Sequence, residues 1–388
     1  MKRGNAIRVA ARALLVLSFL PVFVLSILPT AQSANPGGYV MLTLDLSNNT
    51  LYPGNANVTE NIKPFTITYN PNNGYLYVLI TSPYSGSSTF MLVVDPINNT
   101  IIDSILLTSG FANLPLGAVY DPENGYVYVA TNDTGVLVVN PATKEVVARI
   151  PIHDQLEDVV YDPENGYIYA TALWSGTVVV INPATNSIVA TIGVGPDPDR
   201  MIYDPRNGYI YVTRPDYGEV SVIDPKNDSV VANITVGAYP RGITYDPRNG
   251  YIYVAEYGGV AVIDPSTDKL ATYIPIGNDV AYAIAYDPRN GFMYVTASYF
   301  STAGCFVIAI APNNTIVGEF QVGYWPRSIV YDPVSGYLYV ANVYSGTLSI
   351  IATPNVTSTG TSSGIAVGTT SSTAPANNSV AAGGQTPA

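Results

Sequence analysis

The chain has 388 residues, of which 47% are hydrophobic and only 11% are charged, and its formal net charge is −12. This acidity excludes a nucleic acid partner, because a polyanion is repelled by such a surface and no cluster of Lys or Arg interrupts it. With one histidine, His153, and one cysteine, Cys305, the chain can form neither an intramolecular disulfide nor a multi-histidine copper or bis-histidine haem site.

Residues 1–33 have the pattern of a secretory signal. Four basic residues precede an apolar run of 16 residues from Ala13 to Leu28, and small residues stand at the −3 and −1 positions of a cleavage site after Ser33. The run is shorter than the roughly 20 residues that span a bilayer, although an uncleaved N-terminal anchor is the alternative. In both cases the remainder is exported. Cleavage would change the net charge to −16.

One short motif, Asp-Pro-x-Asn-Gly-Tyr-x-Tyr-Val or a close variant, occurs seven times between Tyr69 and Val340. Its glycine falls at positions 74, 125, 166, 208, 250, 291 and 336. A period near 42 residues is typical of a propeller or a solenoid. Repetition of this kind through most of the chain indicates one domain, which we place at residues 34–354.

The chemistry of the motif predicts a turn followed by a strand. Proline sets φ for the second position of a type I turn, the Asp side chain can bond the turn backbone, and glycine takes a positive φ. The Gly-Tyr-x-Tyr-Val segment then alternates aromatic and aliphatic residues, as in Tyr209, Ile210, Tyr211 and Val212. Both faces of such a strand are apolar, so each sheet must be covered on both sides.

A second hairpin follows each motif, as in Val220 to Ile234, so each period supplies four strands. We therefore predict an all-β fold, a seven-bladed β-propeller of four-stranded antiparallel blades. A right-handed β-solenoid is the alternative, and it is disfavoured because its coils are shorter than this period.

The ends of the repeat array indicate how the propeller closes. The segment Met41 to Thr50 closely matches Met91 to Thr100, yet the last repeat supplies only three strands before Pro354. Because a propeller open there would expose long strand edges, we predict that residues 38–57 complete the last blade. The pattern does not specify which N-terminal strand is outermost.

Residues 355–388 carry no charge, and 13 of these 34 residues are Ser or Thr. This composition predicts a disordered tail or stalk. Candidate N-glycosylation sites of an exported protein occur at Asn48, Asn57, Asn98, Asn132, Asn227, Asn233, Asn313, Asn355 and Asn377.

The Tyr-Val-x-x segments, such as Tyr211-Val212-Thr213-Arg214 and Tyr339-Val340-Ala341-Asn342, resemble the YVTN-type β-propeller repeat family over residues 38–354. Val236-Gly237-Ala238-Tyr239-Pro240 is similar to the Val-Gly-x-x-Pro link between blades of that family. One departure is the turn, which is Asp-Pro-x-Asn-Gly here and usually Pro-Asp-Gly in the family. The resemblance implies a propeller fold, and a cell-surface role because the family includes archaeal surface-layer-type proteins.

The search for catalytic chemistry gives weak candidates. Carboxylates in two neighbouring link loops could bind a divalent ion in a gluconolactonase-like site; these weak metal candidates are Asp154, Asp158, Asp197 and Asp199. No fixed metal-ligand spacing supports this hypothesis, so a solvated acidic face is favoured. As the base of a catalytic triad, His153 would need a nucleophile, and the sequence contains no Gly-x-Ser-x-Gly motif to supply one. His153 is therefore interpreted as a loop residue. The Asp before each turn proline is interpreted as a turn cap. We expect no catalytic residues and no cofactor.

Aromatic and arginine residues suggest a binding rim instead. Loops between second and third strands share one face of a propeller with the links between blades, and both carry such residues. The candidate ligand-binding residues are Trp174, Tyr217, Tyr257, Tyr299, Tyr344, Trp325, Arg241 and Arg327. We predict an exported, secreted or cell-surface protein that acts as a non-catalytic interaction module or a surface-layer-associated binding module. Its expected partner is protein or carbohydrate of the envelope, and it contacts membrane only through an uncleaved N-terminal segment. The alternative is a metal-dependent, lactonase-like hydrolase.

Overall fold

The computed structural model describes residues 30–32, 41–46, 62–82, 88–109, 113–298 and 304–353. Within these ranges the chain consists of β-strands and turns, and the helical part is a single 3₁₀ turn at Pro215–Tyr217. None of the described segments forms a helix long and apolar enough to cross a membrane. The predicted all-β class is confirmed.

Two short N-terminal strands precede the repeats, β1 (Thr30–Gln32) and β2 (Met41–Asp45). Four sheets of four antiparallel strands follow in chain order. The first holds β3 (Lys63–Asn70), β4 (Tyr75–Ser82), β5 (Ser88–Asp95) and β6 (Thr100–Thr108). The second holds β7 (Pro115–Tyr120), β8 (Val127–Thr131), β9 (Val136–Asn140) and β10 (Glu145–Ile150). The third holds β11 (Leu156–Tyr161), β12 (Ile168–Ala172), β13 (Thr177–Asn182) and β14 (Ser187–Gly193). The fourth holds β15 (Met201–Asp204), β16 (Tyr209–Arg214), β17 (Glu219–Asp224) and β18 (Ser229–Thr235).

The fifth sheet has six strands and contains two sequence repeats. Its strands are β19 (Ile243–Tyr245), β20 (Ile252–Asp264), β21 (Lys269–Tyr286), β22 (Met293–Ser298), β23 (Cys305–Ile310) and β24 (Ile316–Gln321). The two long strands β20 and β21 contain Gly258 and Gly277, both at positive φ. Each glycine lies where the other repeats have a loop between strands. The chain therefore changes direction within β20 and within β21 at these glycines.

The last sheet combines both ends of the chain. Its strands are β25 (Pro326–Tyr331), β26 (Tyr337–Asn342) and β27 (Thr347–Ala352), followed by β2 and then β1. Strand β2 pairs with β27 from Met41 opposite Ile351 to Asp45 opposite Thr347. The N-terminal strand next to the last repeat is therefore β2, and the outermost strand is β1, which belongs to the segment predicted to be a signal.

The turn motif makes the contacts that its chemistry predicts. The Asp204 carboxylate accepts the Arg206 N–H at 2.9 Å, and Gly208 adopts a φ of 75°. The same contact from the Asp carboxylate to the N–H two residues on recurs in five further turns, at Asp121, Asp162, Asp246, Asp287 and Asp332. Turn capping by these aspartates is thus confirmed.

The asparagine and second tyrosine of the motif act together. The Asn207 carbonyl oxygen accepts the Tyr209 N–H, and its Nδ2 donates to the Tyr211 hydroxyl at 2.9 Å. A buried phenol must find a partner, so this bond allows the ring to be fully buried between sheets. The equivalent tyrosines are all buried, as predicted: Tyr77, Tyr128, Tyr169, Tyr211, Tyr253, Tyr294 and Tyr339.

Apolar side chains pack between each set of four strands and the next along the chain. The cluster that contains Ile67, Val78 and Leu92 of the first sheet also takes in Leu44 and Leu348 of the last. The first set of strands therefore packs against the last as well as against the second. The rest of the predicted closing segment (38–40 and 47–57), the tail at 355–388 and most of residues 1–33 lie outside the described residues.

Candidate binding face and axial pocket

Two kinds of loop lie together at one end of the sheets. The Asp154 carboxylate, in the link before β11, accepts the Trp174 N–H from the loop between β12 and β13 at 2.9 Å. The Tyr344 N–H, between β26 and β27, donates to the Tyr324 carbonyl in the link before β25 at 3.1 Å. We call this end, formed by the links and the second-to-third-strand loops, the link-loop face. The Asp-Pro turns form the opposite end, the turn face.

The aromatic residues predicted to form a binding rim are exposed on the link-loop face. Trp174 is 69% exposed, Tyr217 is 53% exposed and Tyr344 is 55% exposed, and Tyr257 is exposed as well. The Arg214 guanidinium lies 4.7 Å above the Tyr217 ring and holds it in place. Tyr299, from the same prediction, lies outside the described residues.

An aromatic stack borders the centre of this face. The Trp325 and Tyr344 ring centroids are 4.5 Å apart with an interplanar angle of 25°, and the Tyr324 ring stacks on Tyr344 with its centroid at 5.6 Å. Trp325 has a φ of 59°, and Tyr239, which also precedes a proline, has a φ of 54°. Left-handed φ values at bulky residues are costly and are kept only where surrounding contacts hold them, which is a feature of ligand sites.

A pocket of about 260 Å³ opens beside this stack. Most of its lining comes from one register position, five residues before the turn aspartate of each repeat. Counting back from each turn, that position holds Phe65, Leu116, Glu157, Asp199, Arg241, Tyr282 and Arg327. Phe65 and Leu116 pack together, and the Arg327 guanidinium lies 5.6 Å above the Phe65 ring, so first strands far apart in the chain converge here. We call this cavity the axial pocket.

Charged pairs cross the axial pocket. The Arg327 guanidinium donates to the Glu157 carboxylate at 3.1 Å, although 170 positions separate the two residues. Arg241 donates to Asp199, also at 3.1 Å. Burial and the nearby Arg200 lower the pKa of Arg327 to about 10. Arg327 therefore remains cationic at neutral pH, although its neighbours do not fully compensate the cost of burying its charge.

Arg200 contacts two main-chain carbonyls and two carboxylates in the same cluster. Its guanidinium donates to the main-chain carbonyls of Leu116 at 2.9 Å and Glu157 at 3.1 Å, and faces Asp199 and Asp158 at 3.5 and 3.8 Å. Burial lowers the pKa of Arg200, but the surrounding carboxylates raise it above its ordinary value. Burial raises the pKa of Asp158 to about 6, against the opposing effect of Arg200.

The four weak metal candidates are already engaged by protein groups. Asp154 caps the Trp174 loop, Asp197 accepts the Asp216 N–H, and Asp158 accepts the Met201 N–H. Asp199 pairs with guanidinium groups. Within the described ranges, no group of three His, Cys, Asp or Glu side chains is arranged to hold a metal ion. His153, considered as a catalytic base, lies on an exposed loop.

Sequence reasoning missed Arg200 and the pairing of Glu157 with Arg327. The signal was available, because counting five residues back from each turn aspartate aligns Asp199 with Arg241 and Arg327. The link before β15 contains two closely spaced prolines, Pro196 and Pro198, and Asp199 follows the second one. A search for Val-Gly-x-x-Pro-Arg therefore does not find this link.

The glycosylation candidates are divided by the structure. Asn98, Asn227, Asn233 and Asn313 are exposed, and Asn132 is half-buried with its carbonyl oxygen accepting the Leu114 N–H at 2.6 Å. The remaining four, Asn48, Asn57, Asn355 and Asn377, lie outside the described residues.

Comparisons with known proteins identify the fold. No protein-family model matches the sequence, and no curated protein does. The structure is similar to hydrazine synthase of Kuenenia stuttgartiensis, with a TM-score of 0.63 and 19% identity over 76% of this chain and 96% of that one. It is also similar to a catalytically inactive virginiamycin B lyase from Staphylococcus aureus with quinupristin, with a TM-score of 0.62 and 13% identity over 81% of this chain and 100% of that one. At such identities the likeness concerns the fold alone, which is propeller-like.

Proposed function

We propose that the chain is an exported seven-bladed β-propeller of the YVTN type, closed by its N-terminal strand, that acts as a non-catalytic binding module at the cell surface. Seven sequence repeats, the pairing of β2 with β27 and the packing of the first sheet on the last support the closed ring. The basic and apolar segment before Ser33 supports export.

One observation carries the binding function, the concentration of exposed aromatic side chains on the link-loop face. Of the described aromatic residues that are more than 40% exposed, only Tyr273 lies elsewhere, on an outer strand. The others are Trp174, Tyr217, Tyr239, Tyr257, Tyr324 and Tyr344. Aromatic side chains supply large contact area at low conformational cost, so they are enriched at binding surfaces.

The composition of the surface favours a partner in the cell envelope. With 11% charged residues the exterior is polar rather than ionic, and exposed sequons such as Asn227 and Asn313 are compatible with an exported glycoprotein. A protein or carbohydrate of the envelope is the partner that such a surface fits, and membrane contact would come only from the N-terminal segment if it is uncleaved.

Capture of envelope material by immobilised protein tests this function. We expect Trp174→Ala and Tyr217→Ala each to weaken capture of the envelope fraction at least tenfold, because truncating an aromatic anchor costs about 2 kcal/mol or more. Glu123→Ala, in a turn on the opposite face, is the matched control and should capture normally. Equal capture by all three variants would place the binding surface elsewhere and overturn the proposal.

A further inference from the structure

The three guanidinium groups that line the axial pocket offer more hydrogen-bond donors than its two carboxylates can accept. Both Glu157 carboxylate oxygens accept hydrogen bonds, from Gln155 and Arg327, and Asp199 Oδ2 accepts one from Arg241. Asp199 Oδ1 is buried without a hydrogen bond, but the Arg200 guanidinium lies 3.5 Å from it and compensates its charge. In contrast, the Arg327 Nε is buried and has no hydrogen-bond partner among the described residues. A buried donor without a partner is costly, so a bound acceptor group would satisfy it.

Charge points to the same kind of ligand. The lining contains three guanidinium groups and two carboxylates, so it carries a net charge of +1 in a chain whose net charge is −12. Asp158 faces Arg200 from outside the lining. A single carboxylate matches this charge and the planar donor geometry of arginine, whereas a sulfate or phosphate dianion would exceed it.

Size and shape limit the rest of the ligand. Pockets for drug-sized ligands run from roughly 300 to 1,000 Å³, and the axial pocket, at about 260 Å³, admits a single ring. Trp325 and Tyr282 line it, and the Tyr344 ring stacks on Trp325 towards the exposed face. An indole offers a flat apolar surface for the C–H face of a sugar, and the phenol can bond a ring hydroxyl.

We propose that the axial pocket binds a carboxylate-bearing sugar ring of the hexuronic acid class, with Arg241 and Arg327 holding the carboxylate and Trp325 stacking on the ring. This inference deepens the proposed function and rests on it, since such a ring would be one residue of an envelope glycan. The aromatic residues of the link-loop face would contact the neighbouring residues of the same glycan.

Calorimetric titration of the full chain with D-glucuronate, D-glucose and sulfate tests the assignment. We expect saturable binding of glucuronate and at least tenfold weaker binding of glucose, because glucose offers no charged acceptor to the guanidinium groups. Arg241→Gln should weaken glucuronate binding about tenfold and leave the affinity for glucose unchanged. Arg206→Gln, on the turn face, should bind glucuronate as the natural protein does.

Arg241 is the primary variant because it is 39% exposed, whereas truncating Arg327 would leave Glu157 buried without its partner. A thermal melt of each variant shows whether it is folded. Equal affinity for glucuronate and glucose, tighter binding of sulfate, or equal affinity of the Arg241 and Arg206 variants for glucuronate would overturn the inference. If glucuronate does not bind as expected but capture of envelope material still depends on the aromatic residues, the proposed binding function stands. Only its specificity for a carboxylate sugar is then overturned.

Discussion

The two ends of the molecule are built from the same repeats, yet they differ in how far they depart from them. At the turn face, the residue before each turn aspartate or asparagine is a tyrosine in every repeat: Tyr69, Tyr120, Tyr161, Tyr203, Tyr245, Tyr286 and Tyr331. At the link-loop face, the position four residues earlier holds two apolar side chains, a tyrosine, two arginines and two carboxylates. The uniform tyrosine position belongs to the repeated fold, whereas the varied position lines the axial pocket.

The faces also differ in which residues adopt a left-handed backbone. At the turn face these are small or polar residues, such as Asn99, Asp228 and Asn314, which tolerate a positive φ. At the link-loop face the bulky Tyr239 and Trp325 adopt it, where it is costly. Buried polar atoms without hydrogen-bond partners occur at both faces of the described residues, as at Asp204 Oδ2 and Arg327 Nε, so they do not distinguish the two.

Removing the N-terminal strand should have the largest effect. Deletion of residues 1–46 takes away β2 with the buried Leu44 and Leu46, and it exposes the edge of β27. Losing two buried leucines and a strand pairing should lower the free energy of unfolding by on the order of 5 kcal/mol or more. Chemical denaturation measures the change. Deletion of residues 1–33 removes β1 alone among the described strands and is the control. Equal stability of the two truncated proteins would contradict the proposed closure.

Truncating one repeated tyrosine should cost less, but more than truncating an exposed aromatic residue of the link-loop face. Tyr211→Ala leaves a cavity between two sheets and should reduce the free energy of unfolding by about 3–5 kcal/mol. Tyr217→Ala removes a side chain that is 53% exposed and should stay within about 0.5 kcal/mol of the natural protein. Urea denaturation of both variants checks the contrast, and comparable losses would show that the two faces share the structural role.

Glu256 gives a stability effect that depends on pH. Its side chain is 2% exposed, and burial raises its pKa to about 7. The folded protein holds the proton more tightly than the unfolded chain, so stability is fully present below about pH 4.5 and falls as pH rises to 7. Glu256→Gln should therefore stabilise the protein by about 1–3 kcal/mol at pH 8 and leave it unchanged at pH 4. Glu123→Gln is the control, and a gain that is the same at both pH values would contradict the assignment.

The smallest effect should come from the arginines of the turn face. Arg206, Arg248 and Arg289 lie over the tyrosine rings of the next repeat at 5.9, 5.6 and 5.5 Å. Arg206→Ala should cost only about 0.5–1 kcal/mol, because the contact is exposed. A loss above 2 kcal/mol in a thermal melt would assign this contact a larger part in joining the repeats than we infer.

The repeat chemistry made the strands and turns predictable. Asp-Pro-x-Asn-Gly fixes the turn through contacts within a few residues, as between Asp204 and Arg206, and the buried tyrosines follow from the two apolar faces of the strand. Such contacts are local and repeat in every copy, so the sequence alone contains them. The continuous β20 and β21 were not predicted, because the backbone at Gly258 and Gly277 depends on the neighbouring strand.

The axial pocket was only partly predictable for the opposite reason. Arg241 and Arg327 can be recognised in the sequence because each follows the proline of a link between repeats. Glu157, the partner of Arg327, is 170 positions away in the chain, and the two residues meet only when the first strands converge. Arg200 directly follows the aligned Asp199, but its bonds to the Leu116 and Glu157 carbonyls join different repeats, so the alignment alone does not predict them. Pairings between residues far apart in the chain depend on how the sheets are arranged around each other, which spacing along the chain does not contain.

We infer that the link-loop face binds envelope material and that the turn face stabilises the fold. Measuring capture of envelope material and the free energy of unfolding on the same two variants tests this inference most directly. One variant combines Trp174→Ala, Tyr217→Ala and Tyr344→Ala on the link-loop face. The other is Asn207→Ala on the turn face, which removes the partner of the Tyr211 hydroxyl. We expect the triple variant to lose capture and keep its stability, and Asn207→Ala to lose about 1–3 kcal/mol of stability and keep capture. Capture that survives the triple variant, or that falls in Asn207→Ala while the protein is folded, would contradict the account.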